Sequence, residues 1–325
     1  IWLWKIDANA GKEIKRVVIK ENYDNIVGAR TLENSYLTSE GDIYALGEFE
    51  GTKQSLIKIT GEGKIVFIKS TSEIFSEEVF VKQMLSLSNG NFLFIGNNIR
   101  GNRVVVKVDK DRKIVWEKIY ELDNIGILTD GILINDKEDF LIVCESVGDP
   151  ALFSNPEVRM IWCDSKGNIL SEEIFSGYFA QLCQLGSGEI VVLYADNIDP
   201  QNPFFGAKNY KIRIYTPQFK LLSEKQIAEG HFLYPSLKIK SFSTENFIVG
   251  GCKEIERGKL SARMDGYSKE GNKLFTWAQE LPFCFKFLLT SSENKLFIIT
   301  QKSLIIKEKK LYPLMVNVKC IEVKN

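Results

Sequence analysis

The sequence predicts an all-β fold, a β-propeller of four-stranded antiparallel blades, and three observations carry that prediction. A strand–turn–strand unit, KVDKDRKIVWEK from Lys107 to Lys118, returns about every fifty residues, as KITGEGKIVFIK from Lys58, WCDSKGNILSEE from Trp162 and GYSKEGNKLFTW from Gly266. A small anchor recurs in step with it: Gly41-Asp42-Ile43, Gly90-Asn91-Phe92, Glu138-Asp139-Phe140, Gly188-Glu189-Ile190, Glu245-Asn246-Phe247 and Asn294-Lys295-Leu296, at intervals of 49, 48, 50, 57 and 49 residues. The segments between anchors alternate or run apolar, are rich in Ile, Val, Phe and Tyr, and are broken by Gly, Asn and Asp, which is the pattern of strands rather than solenoid helices. Four strands of about five residues with their turns use ~40–50 residues, so each repeat is one blade.

Taken in order, Ile1 to Lys20 matches only the second half of a repeat, because Lys5-Ile6-Asp7 corresponds to Lys107-Val108-Asp109. The full repeats, numbered two to seven, run Asn34–Lys69, Val81–Lys118, Gly131–Glu173, Phe179–Lys225, Ser236–Gln279 and Phe283–Val318. Seven blades are favoured, with Gln301 to Lys324 supplying a third and fourth strand. Six blades are the alternative, with Phe283–Thr300 pairing against the N-terminal half-blade at residues 1–20. Either arrangement covers sheet edges that would otherwise invite aggregation. Residues 1–325 are thus expected to form a single propeller domain.

The turn in the second half of each repeat opens on Asp or Ser and closes on Gly, as in Asp164-Ser165-Lys166-Gly167 and Ser268-Lys269-Glu270-Gly271. Side-chain oxygens cap such a turn and Gly accepts positive φ. The fifth repeat carries Thr216-Pro217-Gln218-Phe219 instead, so its turn is expected to differ. The aromatics that follow these turns, Phe67, Trp116 and Trp277, are expected to pack between blades.

Composition narrows the function classes. Forty-two basic and forty-two acidic residues give no net charge, which leaves no field to collect nucleic acid or an anionic membrane. No apolar run approaches the ~18 residues of a membrane span. The chain begins at Ile1, which suggests a leader or lipid anchor upstream and export to the periplasm or cell surface, with a cytoplasmic location as the alternative. Six cysteines are scattered singly with no C-x-x-C spacing, and are read as buried free thiols.

The pattern K-x-D-x-x-G-x-I-x-W resembles the repeats of the PQQ-like (quinoprotein-type) β-propeller superfamily, and the anchor looks like the propeller repeats of exported bacterial proteins. The resemblance covers nearly the whole chain. It implies the fold, while members range from quinone-dependent dehydrogenases to scaffolds of outer-membrane assembly. The enzyme branch uses an adjacent cysteine pair and a calcium site; this sequence has no Cys-Cys pair. No cofactor and no metal are expected.

Chemistry-bearing residues are few. His231 is the only histidine, so His-rich metal sites and a relay with a spare base are closed off. Paired carboxylates such as Glu172-Glu173 fall on opposite faces of a strand and do not face each other across a cleft as glycosidase carboxylates must. Asp196-Asn197-Ile198-Asp199 is read as turn-forming rather than calcium-binding, for want of regular ligand spacing and a distal Glu. Gly61-Glu62-Gly63 is a hairpin turn, not a phosphate loop. Connections from the second to the third strand emerge on one face of a propeller, and two of them are long here: Ser146–Glu157 and Asp196–Asn209. The sequence therefore points to a non-enzymatic binding or scaffold protein that takes a protein or glycan ligand. The candidate residues are Phe153, Asn155, Asp196, Asp199, Phe204, Phe205, His231 and Tyr234. A carbohydrate-active hydrolase or lyase, with acidic residues gathered at the central channel, is the alternative.

Overall fold

The computed structural model describes residues 2–6, 13–18, 34–38, 40–49, 53–75, 78–121, 126–146, 156–198, 207–229, 237–256, 259–281, 286–292, 295–307 and 310–322. The chain opens on a two-stranded sheet, β1 (Trp2–Ile6) with β2 (Glu13–Val18). Five four-stranded antiparallel sheets follow, each with its strands in sequence order. The second repeat forms β3 (Asn34–Leu37), β4 (Ile43–Phe49), β5 (Lys53–Ile59) and β6 (Ile65–Ser70). The third forms β7 (Val79–Ser86), β8 (Phe92–Asn98), β9 (Arg103–Val108) and β10 (Ile114–Tyr120). The fourth forms β11 (Gly126–Leu133), β12 (Phe140–Ser146), β13 (Glu157–Cys163) and β14 (Ile169–Ser176). The fifth forms β15 (Tyr178–Gln184), β16 (Ile190–Ile198), β17 (Ala207–Tyr215) and β18 (Leu221–Glu229). The sixth forms β19 (Lys238–Ser241), β20 (Asn246–Glu256), β21 (Lys259–Ser268) and β22 (Lys273–Leu281). The seventh has only β23 (Lys286–Ser292), β24 (Lys295–Lys307) and β25 (Lys310–Glu322). One short helix, α1 (Thr71–Ile74), is closed by a capping box in which Ser70 and Glu73 satisfy each other's backbone.

The fold is an all-β propeller of four-stranded antiparallel blades, but the described residues complete five of them, not seven or six. The discrepancy lies at the two ends: the N-terminal sheet has two strands and the seventh repeat three. The seventh repeat's stretch KLFIITQKSLIIK has no Gly, Pro, Asn or Asp to break it, so β24 runs on for 13 residues and pairs with an equally long β25. Two long strands thus consume the residues expected to make three.

Two compact units are present: Ile1–Ser146 with Ile161–Leu170, and Val147–Met160 with Ser171–Asn325. In the first, the third repeat's β9 reads RVVVKV because both its faces are covered. Val104 and Val106 pack with Leu56 and Phe94, while Val105 packs with Ile95, Phe140 and Ile142. Burying each such side chain contributes roughly 2 kcal/mol. In the second unit, Leu193, Tyr210 and Ile212 pack against Phe247 and Tyr267 in the same way.

The turns follow the chemistry read from the sequence, with one exception. Asp109 and Asp164 each accept two turn N–H groups, at 2.9 Å from Asp111 and Lys113 and at 2.9 and 2.8 Å from Lys166 and Asn168. The fifth-repeat turn does not differ as expected. Thr216 and Lys220 close the same frame (2.9 Å), the Thr216 hydroxyl replaces the Asp carboxylate, and Phe219 itself takes φ 64°. Its ring stacks on Tyr215 at 5.1 Å, which offsets the strain of a non-Gly residue there. Trp116 stacks on Phe140 as an aromatic between blades should.

The cysteine reading needs correction. Cys144, Cys163 and Cys183 are buried thiols outside any disulfide, and burial pushes the Cys163 thiol up to about 11. Cys252, however, is disulfide-bonded. Spacing gives no sign of this, because a bridge depends on which Cα atoms the fold brings within about 7 Å and not on sequence separation. Denatured, unreduced protein is therefore expected to titrate with four thiols rather than six. Six would show that the bridge does not form in the isolated protein.

Candidate functional site

Seven of the eight residues singled out in the sequence, Phe153, Asn155, Asp199, Phe204, Phe205, His231 and Tyr234, lie outside the described residues. The eighth, Asp196, sits in β16 of the second unit, so DNID is in part strand rather than turn. The ladder continues through Asn197 opposite Asn209 and Ile198 opposite Ala207, which shortens the connection to residues 199–206. Alternation along β16 turns Leu193 and Ala195 into the core beside the sixth sheet and Tyr194 and Asp196 to the other face.

On that face a polar row leads up to the connection. Asp196 Oδ2 pairs with Lys211 Nζ at 2.8 Å, and Asp196 Oδ1 is buried with no hydrogen-bond partner. Lower in the row, Arg213 donates through Nε to Glu224 (2.6 Å) and through Nη1 to Glu173 (2.7 Å). Its guanidinium lies 3.9 Å from the Phe175 ring centre and 5.8 Å from that of Tyr194. Burial, with Glu224 beside it, pushes the Tyr194 phenol up to about 12, so it remains a neutral donor at physiological pH. Glu172, by contrast, turns to Arg159 of its own sheet, as alternation requires of adjacent carboxylates. Lys211 supplies the charge balance at Asp196 that calcium would otherwise bring, and among the described residues no cluster of three or more His, Cys, Asp or Glu suits a metal ion.

A second polar group in the same unit is deeply buried. Asp265, 2% exposed on β21, accepts from Thr276 Oγ1 (2.6 Å), Arg263 Nε (3.0 Å) and Lys273 Nζ (3.0 Å). Burial alone would raise its pKa, yet these partners together hold it below the usual carboxylate value. Asp164, Glu189 and Glu270 are also displaced downward. These four carboxylates are displaced away from the condition for a general acid at neutral pH, a raised pKa.

Glutamines clasp a strand of the next sheet, a feature with no motif to announce it. Gln54 gives Nε2 to Val81 O and takes Val81 N–H on Oε1, both at 2.7 Å, within the first unit. In the second unit Gln181 bonds Leu237 O (2.6 Å) and receives Ile239 N–H (3.3 Å).

No protein-family model and no curated protein matches the chain. Among solved structures it is similar to a protein of unknown function from Dyadobacter fermentans DSM 18053, at 10% identity over 91% of this chain and 97% of that one, with TM-score 0.54. It is also similar to the Synechocystis apocarotenoid oxygenase, at 9% identity over 88% of this chain and 74% of that one, with TM-score 0.52. The likeness shows the fold alone. A eukaryotic initiation factor is matched at 13% identity over 76% of this chain, with TM-score 0.39; the chain spans about half, 54%, of that structure, and the match carries no argument.

Proposed function

We propose that the chain is a non-enzymatic propeller-type binding module that takes a protein or glycan ligand at the blade end where second strands connect to third strands. The observation that carries this reading is Asp196: one carboxylate oxygen is fixed by Lys211, and the other is buried, unpaired and held at the root of the 199–206 connection. A buried acceptor without a donor is costly by ~1–3 kcal/mol, and a ligand hydroxyl or amide N–H would satisfy it. The downward displacement of Asp164, Glu189, Asp265 and Glu270 supports binding over the hydrolase or lyase alternative, which requires one carboxyl group to stay protonated. The repeat pattern supports a place beside the PQQ-like propellers. The Cys252 bridge supports an exported protein, because disulfides persist in oxidising compartments.

Phe204 and Phe205, in the Pro-containing connection beyond Asp196, are proposed to supply the apolar contact. The Phe204→Ala/Phe205→Ala double variant is expected to keep its Tm within about 1 °C, as exposed sites do, while losing glycan-array binding and capture of the ligand from envelope extract. Unfolding of the variant would assign those rings to the core and remove this reading's apolar contact.

A further inference from the structure

Arg103, the first residue of β9 in the first unit, has no exposed surface. Its Nη1 donates to Asn97 Oδ1 at 3.3 Å and to Gly101 O, whereas Nε and Nη2 are buried without a partner. A guanidinium stays charged in a protein, and burying it costs several kcal/mol unless a counter-charge meets it. Three other described arginines follow that rule: Arg213 holds Glu173 and Glu224, Arg263 holds Asp265, and Arg159 holds Glu172. Arg112, less buried and with its Nε also unpartnered, lies with its guanidinium over the Phe67 ring.

The repeat shows why Arg103 stands apart. Gln54 occupies the corresponding place in the second sheet, since Gln54 pairs with Glu48 and Arg103 with Asn97, each five residues beyond the first residue of the second strand, Ile43 or Phe92. Gln54 has a donor and an acceptor and uses both on Val81 of the next sheet. Arginine has donors only, so it cannot make that clasp. Four residues along the same face, Lys107 does reach the next sheet, to Glu138 at 2.6 Å. What Arg103 leaves unpaired is the Nε–Nη2 edge, the side that pairs with both oxygens of one carboxylate.

We infer that Arg103 is the receptor for a carboxylate-bearing ligand, bound side-on at the β8–β9 end of the third sheet. This site belongs to the first unit by itself, and it rests on the binding reading above only for the choice of blade end. Asn97 and the Gly101 carbonyl orient the fork by holding Nη1. The ligand's second feature decides its source, a sugar acid or an acidic peptide side chain.

Thermal unfolding of the full chain titrated with sodium acetate, sodium glucuronate and N-acetyl-aspartate, against sodium chloride at equal ionic strength, tests this. A saturable rise in Tm of ~2–4 °C near saturation is expected with carboxylates and not with chloride. Glucuronate ahead of N-acetyl-aspartate identifies a sugar acid, and the reverse order an acidic peptide. Arg103→Lys keeps the charge without the fork and is expected to lose at least tenfold in carboxylate affinity, and Arg103→Met to lose the response. No carboxylate response, with Arg103→Met destabilised, would overturn the proposal in favour of a counter-charge within the chain. No response with Arg103→Met unchanged or stabilised would overturn it in favour of a tolerated orphan. Because Phe204 and Phe205 are untouched, failure here is separate from failure of the loop reading.

Discussion

Gly96→Ala is expected to destabilise the protein by about 3 kcal/mol or more, at the upper end of what overpacking costs. Gly96 lies in β8 opposite Val81 of β7, where the register slips between Val81 and Gln83 and leaves Lys82 as a bulge. A Cβ on Gly96 would stand 2.4 Å from the Phe80 carbonyl oxygen and 2.9 Å from the Phe80 carbonyl carbon and Val81 Cα. All three are backbone atoms, so no rotamer change relieves the clash. Moving β7 aside would also stretch the two 2.7 Å bonds by which Val81 is tied to Gln54. Gly41 is the control: its φ is 87° and a Cβ there would meet nothing within 4 Å, so Gly41→Ala is expected to cost only the ~1–2 kcal/mol of left-handed strain. Urea midpoints of the two variants compare them directly. A Gly96→Ala protein no weaker than Gly41→Ala would refute the steric account.

The contrast between legible and illegible features follows from range. Turns were legible because their chemistry is local: Asp109, Asp164 and Ser268 sit within four residues of the N–H groups they cap. Blade number was not, because it depends on whether the seventh repeat breaks its second strand, and KLFIITQKSLIIK carries anchor-like residues before it and no breaker within it. The Thr216 turn was misjudged because residue type was read in place of hydrogen-bond frame; a hydroxyl fills the carboxylate's role and stacking on Tyr215 steadies Phe219. Asp196 stands out in the sequence for its place beside a long connection, but its pairing with Lys211 depends on cross-strand register, which the sequence does not show. Arg103 passed unnoticed because NIRGNR reads as a polar hairpin turn; its burial comes from neighbours distant in sequence.

Asp265 should dominate the acid limb of the stability curve. Its folded pKa is depressed, so its contribution is fully present above the unfolded value near 3.8 and disappears as pH falls through the lower folded value. Asp265→Asn keeps the shape, loses the charge and leaves Arg263 and Lys273 without their shared anion. At pH 7 the loss is expected to be ~2–3 kcal/mol, below the range for fully buried pairs because both cations reach solvent. The gap between wild type and variant is then expected to stay level from pH 8 to about 5 and to close below about 4, where the unfolded chain's carboxyl takes up a proton that the folded one still refuses. Urea unfolding at a series of pH values measures the gap. A constant gap down to pH 3 would mean that shape and the Thr276 hydrogen bond, not the charge, hold this part of β21 and β22 together.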